Sequence, residues 1–168
     1  MTRNVPSSRL RHTAASSLLL AALAAACSQP ATHHAAAGNP TGSGEPGQLV
    51  VQTGDIDLSI THAALHLDSA GSGALTMTLR NGGEAPEHLD MVAAPGGERG
   101  ALAGRAGKGD GVLDSAGILV RPGATVTFGG GGPQIRFTGL RGASGTLPLA
   151  FEFGIAGLVH LDVVVQHT

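Results

Sequence analysis

The stretch that decides the fold is residues 147–165, which read LPLAFEFGIAGLVHLDVVV. Apolar side chains occupy every second position in both halves of this stretch, first over 147–153 and then over 159–165. A period of two places alternate side chains on opposite faces of a β-strand, whereas a helix repeats about every 3.6 residues. The two halves therefore predict two β-strands, each with one buried face.

The same alternation recurs upstream, between segments rich in Gly and Pro. It involves Ile56, Leu58 and Ile60, then Leu75, Met77 and Leu79, then Val126 and Phe128, and then Ile135 and Phe137. No window shows the spacing of an amphipathic helix. We therefore predict an all-β domain, a Greek-key β-sandwich of seven to nine short strands. Its predicted core contains Leu58, Leu75, Met77, Leu79, Val126, Phe137, Leu149, Phe151, Leu161 and Val163.

Composition excludes several classes of function. The chain has no Trp and no Tyr, and its 10 Lys+Arg are outnumbered by 12 Asp+Glu. Nucleic acid is therefore a poor partner, because the aromatic platforms and the basic surface that bind it are missing. The single Cys excludes an internal disulfide and a multi-Cys zinc site.

The N-terminal segment has the pattern of an export signal. Three Arg residues precede an apolar run over residues 14–26, which is shorter than the about 20 residues needed to span a bilayer. The run ends in Leu23-Ala-Ala-Ala-Cys27, which resembles a bacterial lipobox, in which the Cys is acylated and becomes the new N-terminus. We expect residues 1–27 to be a signal peptide, and a lipid on Cys27 to anchor an extracytoplasmic protein to the membrane. Ordinary signal cleavage after Ala26 is the alternative.

The chain after Cys27 divides into two parts. Residues 28–47 contain Pro, Gly and Ala and no bulky apolar side chain, so we expect a flexible tether. Residues 48–168 carry all of the strand patterns and form the predicted domain. Three of the Lys+Arg precede Cys27, so seven basic side chains face 12 acidic ones in the mature chain, a net charge of about −5.

No motif points to an enzyme. A nucleophilic Ser would need a strained, exposed turn such as Gly-x-Ser-x-Gly, and that motif does not occur. The glycine run at residues 129–132 lacks the Lys and Ser of a phosphate loop, so we interpret it as a hairpin connection. We expect no catalytic residues.

The His and Met residues of the domain do not form a convincing metal site in the sequence. His62 and His66 would lie about 13 Å apart on a strand, and His160 faces away from its apolar neighbours beside Asp162. Met77 lies on an apolar face, where Met usually fills core space, and we expect the same for Met91 beside Leu89. His88 precedes a strand and is expected to be exposed.

The order of these segments resembles a family, the bacterial extracytoplasmic copper chaperones called PCu(A)C. The resemblance covers about residues 55–166 and implies a cupredoxin-like β-sandwich. It rests on the strand that ends in Asn81-Gly82-Gly83, on the segment APEHL at 85–89, and on VAAP at 92–95. It continues through GDGV at 109–112, VRPG at 120–123, GGPQI at 131–135, and the strands at 147–153 and 159–165.

The family's copper motif is His, ten residues, Met, twenty-one residues, His, one residue and Met, a soft ligand set suited to Cu(I). In this chain the same spacing falls on Ala101, Val112, Gln134 and Arg136. All four ligands are absent, and a guanidinium occupies the place of the last one. We therefore expect no metal or other cofactor at these positions, since a fixed positive charge opposes cation binding.

Two hypotheses for the function remain. The first is a non-metallated binding or structural module of the cell envelope, which uses the former copper face, now Gln134 and Arg136, together with the 129–132 loop to meet an envelope protein or an anion. The alternative is a copper chaperone that carries Cu(I) to an acceptor protein through other residues. Candidate ligands for that role are His62, His66, His88 and Met91.

Overall fold

A computed structural model describes residues 44–168, and this part of the chain is all-β. It contains no helix, and therefore none that could cross a membrane. The strands are β1 (Leu49–Thr53), β2 (Ile56–Leu67), β3 (Gly73–Asn81), β4 (Glu87–Ala93), β5 (Ala101–Ala103), β6 (Leu113–Asp114), β7 (Gly117–Val120), β8 (Thr125–Phe128), β9 (Gln134–Phe137), β10 (Thr146–Phe153) and β11 (Gly157–His167). The predicted signal peptide, Cys27 and most of the predicted tether lie outside the described residues.

One hydrogen-bonded path joins most of the strands, in the order β5-β9-β3-β2-β11-β10-β4-β7-β6. All pairings are antiparallel except that of β11 with β2. Strands β2 and β3 each change partners along their length. β2 pairs first with β1 and then with β11, and β3 pairs first with β9 and then with β8. Such exchanges are how one sheet turns the corner of a sandwich.

The change of partner in β2 coincides with a β-bulge. Pairing with β3 shifts register between Thr61 and Ala64, and His62 has a φ of 56°. Before the bulge the buried residues are Leu58 and Ile60, and after it they are Ala63, Leu65 and Leu67. The extra residue therefore keeps the apolar face directed at the core on both sides of the corner.

The core has the predicted composition. All ten residues predicted to be buried have a relative exposure of 5% or less. Phe151 and Phe153 stack on the inner face of β10, with ring centroids 6.5 Å apart. The long alternating strands β10 and β11 pair over eight residues, from Thr146 with Val164 to Phe153 with Gly157.

The prediction of seven to nine short strands is wrong in number and in length. Eleven strands are present, and β2 and β11 contain 12 and 11 residues. The shortest strands, β5 and β6, have three and two residues, too few to show an alternation in the sequence. Gly47, at the end of the predicted tether, is buried, and its N–H donates to the Asp162 carbonyl at 2.7 Å.

The glycine run is not a hairpin connection, contrary to the sequence-based interpretation. β8 and β9 do not pair with each other; both pair antiparallel with β3, one after the other. Residues 129–133 form an excursion between these two aligned strands, closed by a 2.9 Å hydrogen bond from Gly129 N–H to the Pro133 carbonyl. The chain leaves the line of β8 opposite Thr76 of β3, and it resumes that line in β9 at Gln134.

Asn81 fastens the end of β3 to its surroundings. Its relative exposure is 4%, and its side-chain N–H groups donate to the Ala85 carbonyl at 2.8 Å and the Val120 carbonyl at 3.0 Å. Its side-chain oxygen accepts the Gly83 N–H at 3.0 Å. The amide thus satisfies backbone groups on both sides of the turn that leads to β4.

Replacing Asn81 by Ala should lower the free energy of unfolding by about 1 to 3 kcal/mol, because the buried Val120 carbonyl and the Ala85 carbonyl lose their donor. Urea denaturation measures this change. Gln166→Ala is the control, since Gln166 is exposed and should change stability by less than about 0.5 kcal/mol. Equal stabilities of the two variants would mean that the hydrogen bonds of Asn81 contribute nothing net.

Candidate functional site

The four positions that correspond to the copper motif lie at the β5–β9 edge and in the loop that follows β5. Ala101 pairs directly with Arg136, and Ala103 pairs with Gln134. Ala101, Gln134 and Arg136 are therefore neighbours on adjacent strands. Alternation places them on the outer face, since Ile135 between them is buried.

None of these three residues supplies a soft ligand. Ala101 has no donor atom, and the side-chain nitrogen of Gln134 donates to the Gly130 carbonyl at 3.1 Å and the Gly132 carbonyl at 3.2 Å. Arg136 is exposed and carries a positive charge. Gln134 therefore supports the 129–133 excursion, and the chemistry of the set does not fit Cu(I).

The fourth position, Val112, is half-buried and lies outside any strand. It ends the loop of residues 104–112, which connects β5 to β6. The Val112 carbonyl accepts the Leu119 N–H at 3.0 Å, so its backbone is fixed against β7. Its side chain has no atom that could coordinate a metal.

The histidines of β2 do not meet each other at one site. His62 is exposed at the bulge, where its ring nitrogen lies 3.1 Å from the Thr61 hydroxyl. His66 is half-buried, and its Nε2 lies 3.1 Å from the Thr76 hydroxyl. His160 faces outward between two buried neighbours, as predicted.

Two predictions for β4 are wrong. His88 lies within the strand, is 24% exposed, and places its Nε2 3.6 Å from the Asp114 carboxylate, so it is not an exposed residue before the strand. Met91 is half-buried on the outer face and does not fill the core. The cause is a register shift in the pairing of β4 with β10, in which Asp90 is an extra residue. The next buried residue of β4 is therefore Val92 and not Met91.

The alternative copper ligands are far apart in the sheet. His66 pairs with Gln166 near the end of β11, whereas Met91 pairs through Glu152 with Leu158 near its start. Eight residues of β11 separate those two places, about 26 Å at about 3.3 Å per residue. Within residues 44–168, no group of three His, Cys, Asp or Glu side chains could hold a metal ion. His62, His66, His88 and Met91 therefore do not form one site.

A charged site that the sequence analysis missed lies beside the former copper face. Arg121 binds the Asp110 carboxylate through its backbone N–H at 2.8 Å and through its guanidinium at 3.3 Å. These hydrogen bonds lower the pKa of Asp110 from its ordinary value. Asp110 therefore contributes stability above its unfolded pKa, and that contribution is lost as the pH falls through the lowered folded value.

The signal that could have revealed this site is the local density of basic residues. Arg105, Lys108 and Arg121 fall within 17 residues, although residues 44–168 contain only seven Lys and Arg. Their proximity in space depends on the loop folding back, through a hydrogen bond of 2.8 Å from Gly111 N–H to the Leu119 carbonyl.

Comparison with known proteins identifies the fold. No family model matches the chain, and no curated protein matches it in sequence. Among solved structures, the apo PCuAC domain from PmoF1 matches with a TM-score of 0.58 and 20% identity, over 71% of this chain and 99% of that chain. The copper-bound PCuAC domain from PmoF2 matches with a TM-score of 0.57 and 19% identity, over 71% of this chain and 98% of that chain.

The described domain has the PCuAC fold. The resemblance deduced from the order of the sequence segments is thus confirmed at the level of the fold. One of the neighbours is copper-bound. The four residues that the motif spacing assigns to the copper site, Ala101, Val112, Gln134 and Arg136, carry side chains that do not fit a copper ion.

Proposed function

We propose that this protein is a cell-envelope lipoprotein whose PCuAC-type domain serves as a non-metallated binding or structural module. The observation that carries the proposal is the direct pairing of Ala101 with Arg136 on an otherwise intact scaffold. A domain that has the strands of the fold but none of the copper ligands of the family motif is suited to binding something other than copper. Its natural partner would be another protein or an anion of the envelope, and we propose no enzymatic activity.

Titration with Cu(I) in competition with a chelator tests the proposal. We expect the protein to remove no Cu(I) from a chelator of high affinity, because within residues 44–168 no three His, Cys, Asp or Glu side chains come together and Met91 lies far from His66. His66→Ala and His88→Ala variants should behave like the parent. Tight binding of one equivalent that either variant abolishes would instead support a copper chaperone with displaced ligands.

The lipid anchor is proposed from the lipobox-like segment that ends at Cys27. Replacing Cys27 by Ala should move the protein from the detergent phase to the aqueous phase in a phase-separation assay, because an acyl chain gains about 0.8 kcal/mol for each buried CH₂. Ser28→Ala is the matched control and should stay in the detergent phase. Identical partitioning of the parent and the Cys27 variant would refute the anchor.

A further inference from the structure

An open pocket of about 340 Å³ lies where the loop after β5 meets β8 and the 129–133 excursion. Arg105, Lys108 and Arg121 line it, together with the backbone of Gly109 and Gly132. The exposed residues Thr125 and Thr127 add two hydroxyl groups from the outer face of β8. The volume suits a small molecule or one charged group of a larger one.

The charge of the pocket is opposite to that of the domain. Residues 44–168 contain seven Lys and Arg and 12 Asp and Glu, yet three of the seven basic residues line this one pocket. Asp110 is the single acidic residue in the lining, so the local charge is about +2 against about −5 overall. A local positive potential on an acidic protein concentrates anions at that place.

Two of the three cations are available to a ligand. Asp110 engages Arg121 at 3.3 Å, but within the described range no carboxylate lies within ion-pair distance of Arg105 or Lys108. The guanidinium of Arg105 donates only to the Lys108 carbonyl, at 3.3 Å. Positive side chains in a pocket without paired acids favour an anionic ligand.

The backbone of the loop adds donors to the same pocket. The loop is closed by a 2.7 Å hydrogen bond from Arg105 N–H to the Gly111 carbonyl. Gly107, Gly109 and Gly111 have positive φ, while the intervening Lys108 and Asp110 do not. Alternating φ signs turn successive N–H groups toward one side and form an anion-binding concavity. Within residues 44–168, the N–H groups of Lys108 and Gly109, two residues that line the pocket, donate to no protein acceptor.

We propose that this pocket binds a multiply charged oxyanion, with phosphate-type oxygens as the preferred chemistry. Arg105 supplies a planar fork that matches two oxygens of one phosphate, and Lys108 supplies a point charge. The N–H groups of Lys108 and Gly109 and the hydroxyls of Thr125 and Thr127 complete the donor set. None of the four copper-motif positions lines this pocket, although Gln134 donates to the Gly132 carbonyl beside it.

Calorimetric titration of the full chain in non-ionic detergent with pyrophosphate tests the inference. We expect binding of one equivalent that weakens as NaCl is added. The double variant Arg105→Gln/Lys108→Gln should weaken binding by at least about tenfold, since two charge-assisted hydrogen bonds are lost. Titrations with phosphate and citrate distinguish the ligand sources: tighter binding of citrate than of pyrophosphate would overturn the preference for phosphate-type oxygens.

The control is Arg99→Gln/Arg141→Gln, which removes the same charge from two exposed residues outside the pocket. It should bind pyrophosphate within about twofold of the parent, because screened charges at a distance contribute little. An equal loss in both double variants, or no binding by the parent, would overturn the inference. Amide NMR of the parent gives a test without variants: pyrophosphate should shift the Lys108 and Gly109 signals, and unchanged signals there would overturn the site.

Discussion

Truncation of Phe151 to Ala is expected to lower the free energy of unfolding by about 3 to 5 kcal/mol, much of the 5 to 15 kcal/mol typical of a domain. Phe151 has no exposed surface and lies on β10 between Val92 of β4 and Val159 of β11. Its ring stacks on that of Phe153 with an interplanar angle of 11°. The variant loses the burial of a large ring and leaves a cavity among three strands.

Denaturation in urea, with the slope of the transition compared between parent and variant, measures this loss. Leu158→Ala is the matched control, because Leu158 is 37% exposed on the neighbouring strand. That variant should lose less than about 1 kcal/mol. A loss for Phe151→Ala as small as that of the control would contradict the proposed packing around β10.

Four substitutions are expected to create tight Cu(I) binding where the parent has none: Ala101→His, Val112→Met, Gln134→His and Arg136→Met. They install the imidazole and thioether donors that suit Cu(I). Positions 101 and 136 are direct cross-strand partners, whose Cβ atoms lie about 5 Å apart in such pairs. The scaffold therefore already brings two of the new ligands within reach of one ion.

Arg136 is expected to matter most of the four residues. A positive charge about 4 Å from the ion costs about 1 kcal/mol in water and about 4 kcal/mol at a protein surface, which is roughly five- to a thousandfold in affinity. A triple variant that retains Arg136 should therefore bind Cu(I) much more weakly than the quadruple variant. Competition with a chelator measures both. Equal affinities of these two variants would show that the guanidinium turns away from the site.

The sequence predicts the fold class well because the strands that form most of the core are long and alternate strictly. The hydrophobic residues of β10 and β11 could be assigned to one face from spacing alone, and all are placed as predicted except Leu147, which is half-buried. The prediction fails where an extra residue enters a strand. Asp90 reverses the alternation in β4, and Met91 moves to the outer face. A rule of period two has no means of locating such a residue, because its position depends on the partner strand.

The candidate sites could likewise be predicted from the sequence only in part. The spacing of the family motif selected Ala101, Gln134 and Arg136, and these three residues are neighbours on paired strands. The basic pocket was missed, because Arg105 and Arg121 come from different loops and meet through tertiary contacts. The interpretation of the glycine run as a hairpin connection was also wrong. Flexible residues are equally compatible with a hairpin and with an excursion between aligned strands.

The side-chain amide of Asn81 is also a site of chemical degradation by deamidation. Asparagine followed by glycine is prone to deamidation, in which the backbone nitrogen of the glycine attacks the side-chain amide carbon and ammonia leaves. Here the Gly82 N–H donates to the Asp57 carbonyl at 2.6 Å, and the side-chain amide is held by two further carbonyls. In the folded state both reacting groups are therefore engaged in hydrogen bonds, whereas unfolding of this segment frees them. Aspartate formed after such unfolding could not donate to the Ala85 and Val120 carbonyls, so ageing damage would accumulate in molecules that no longer refold well.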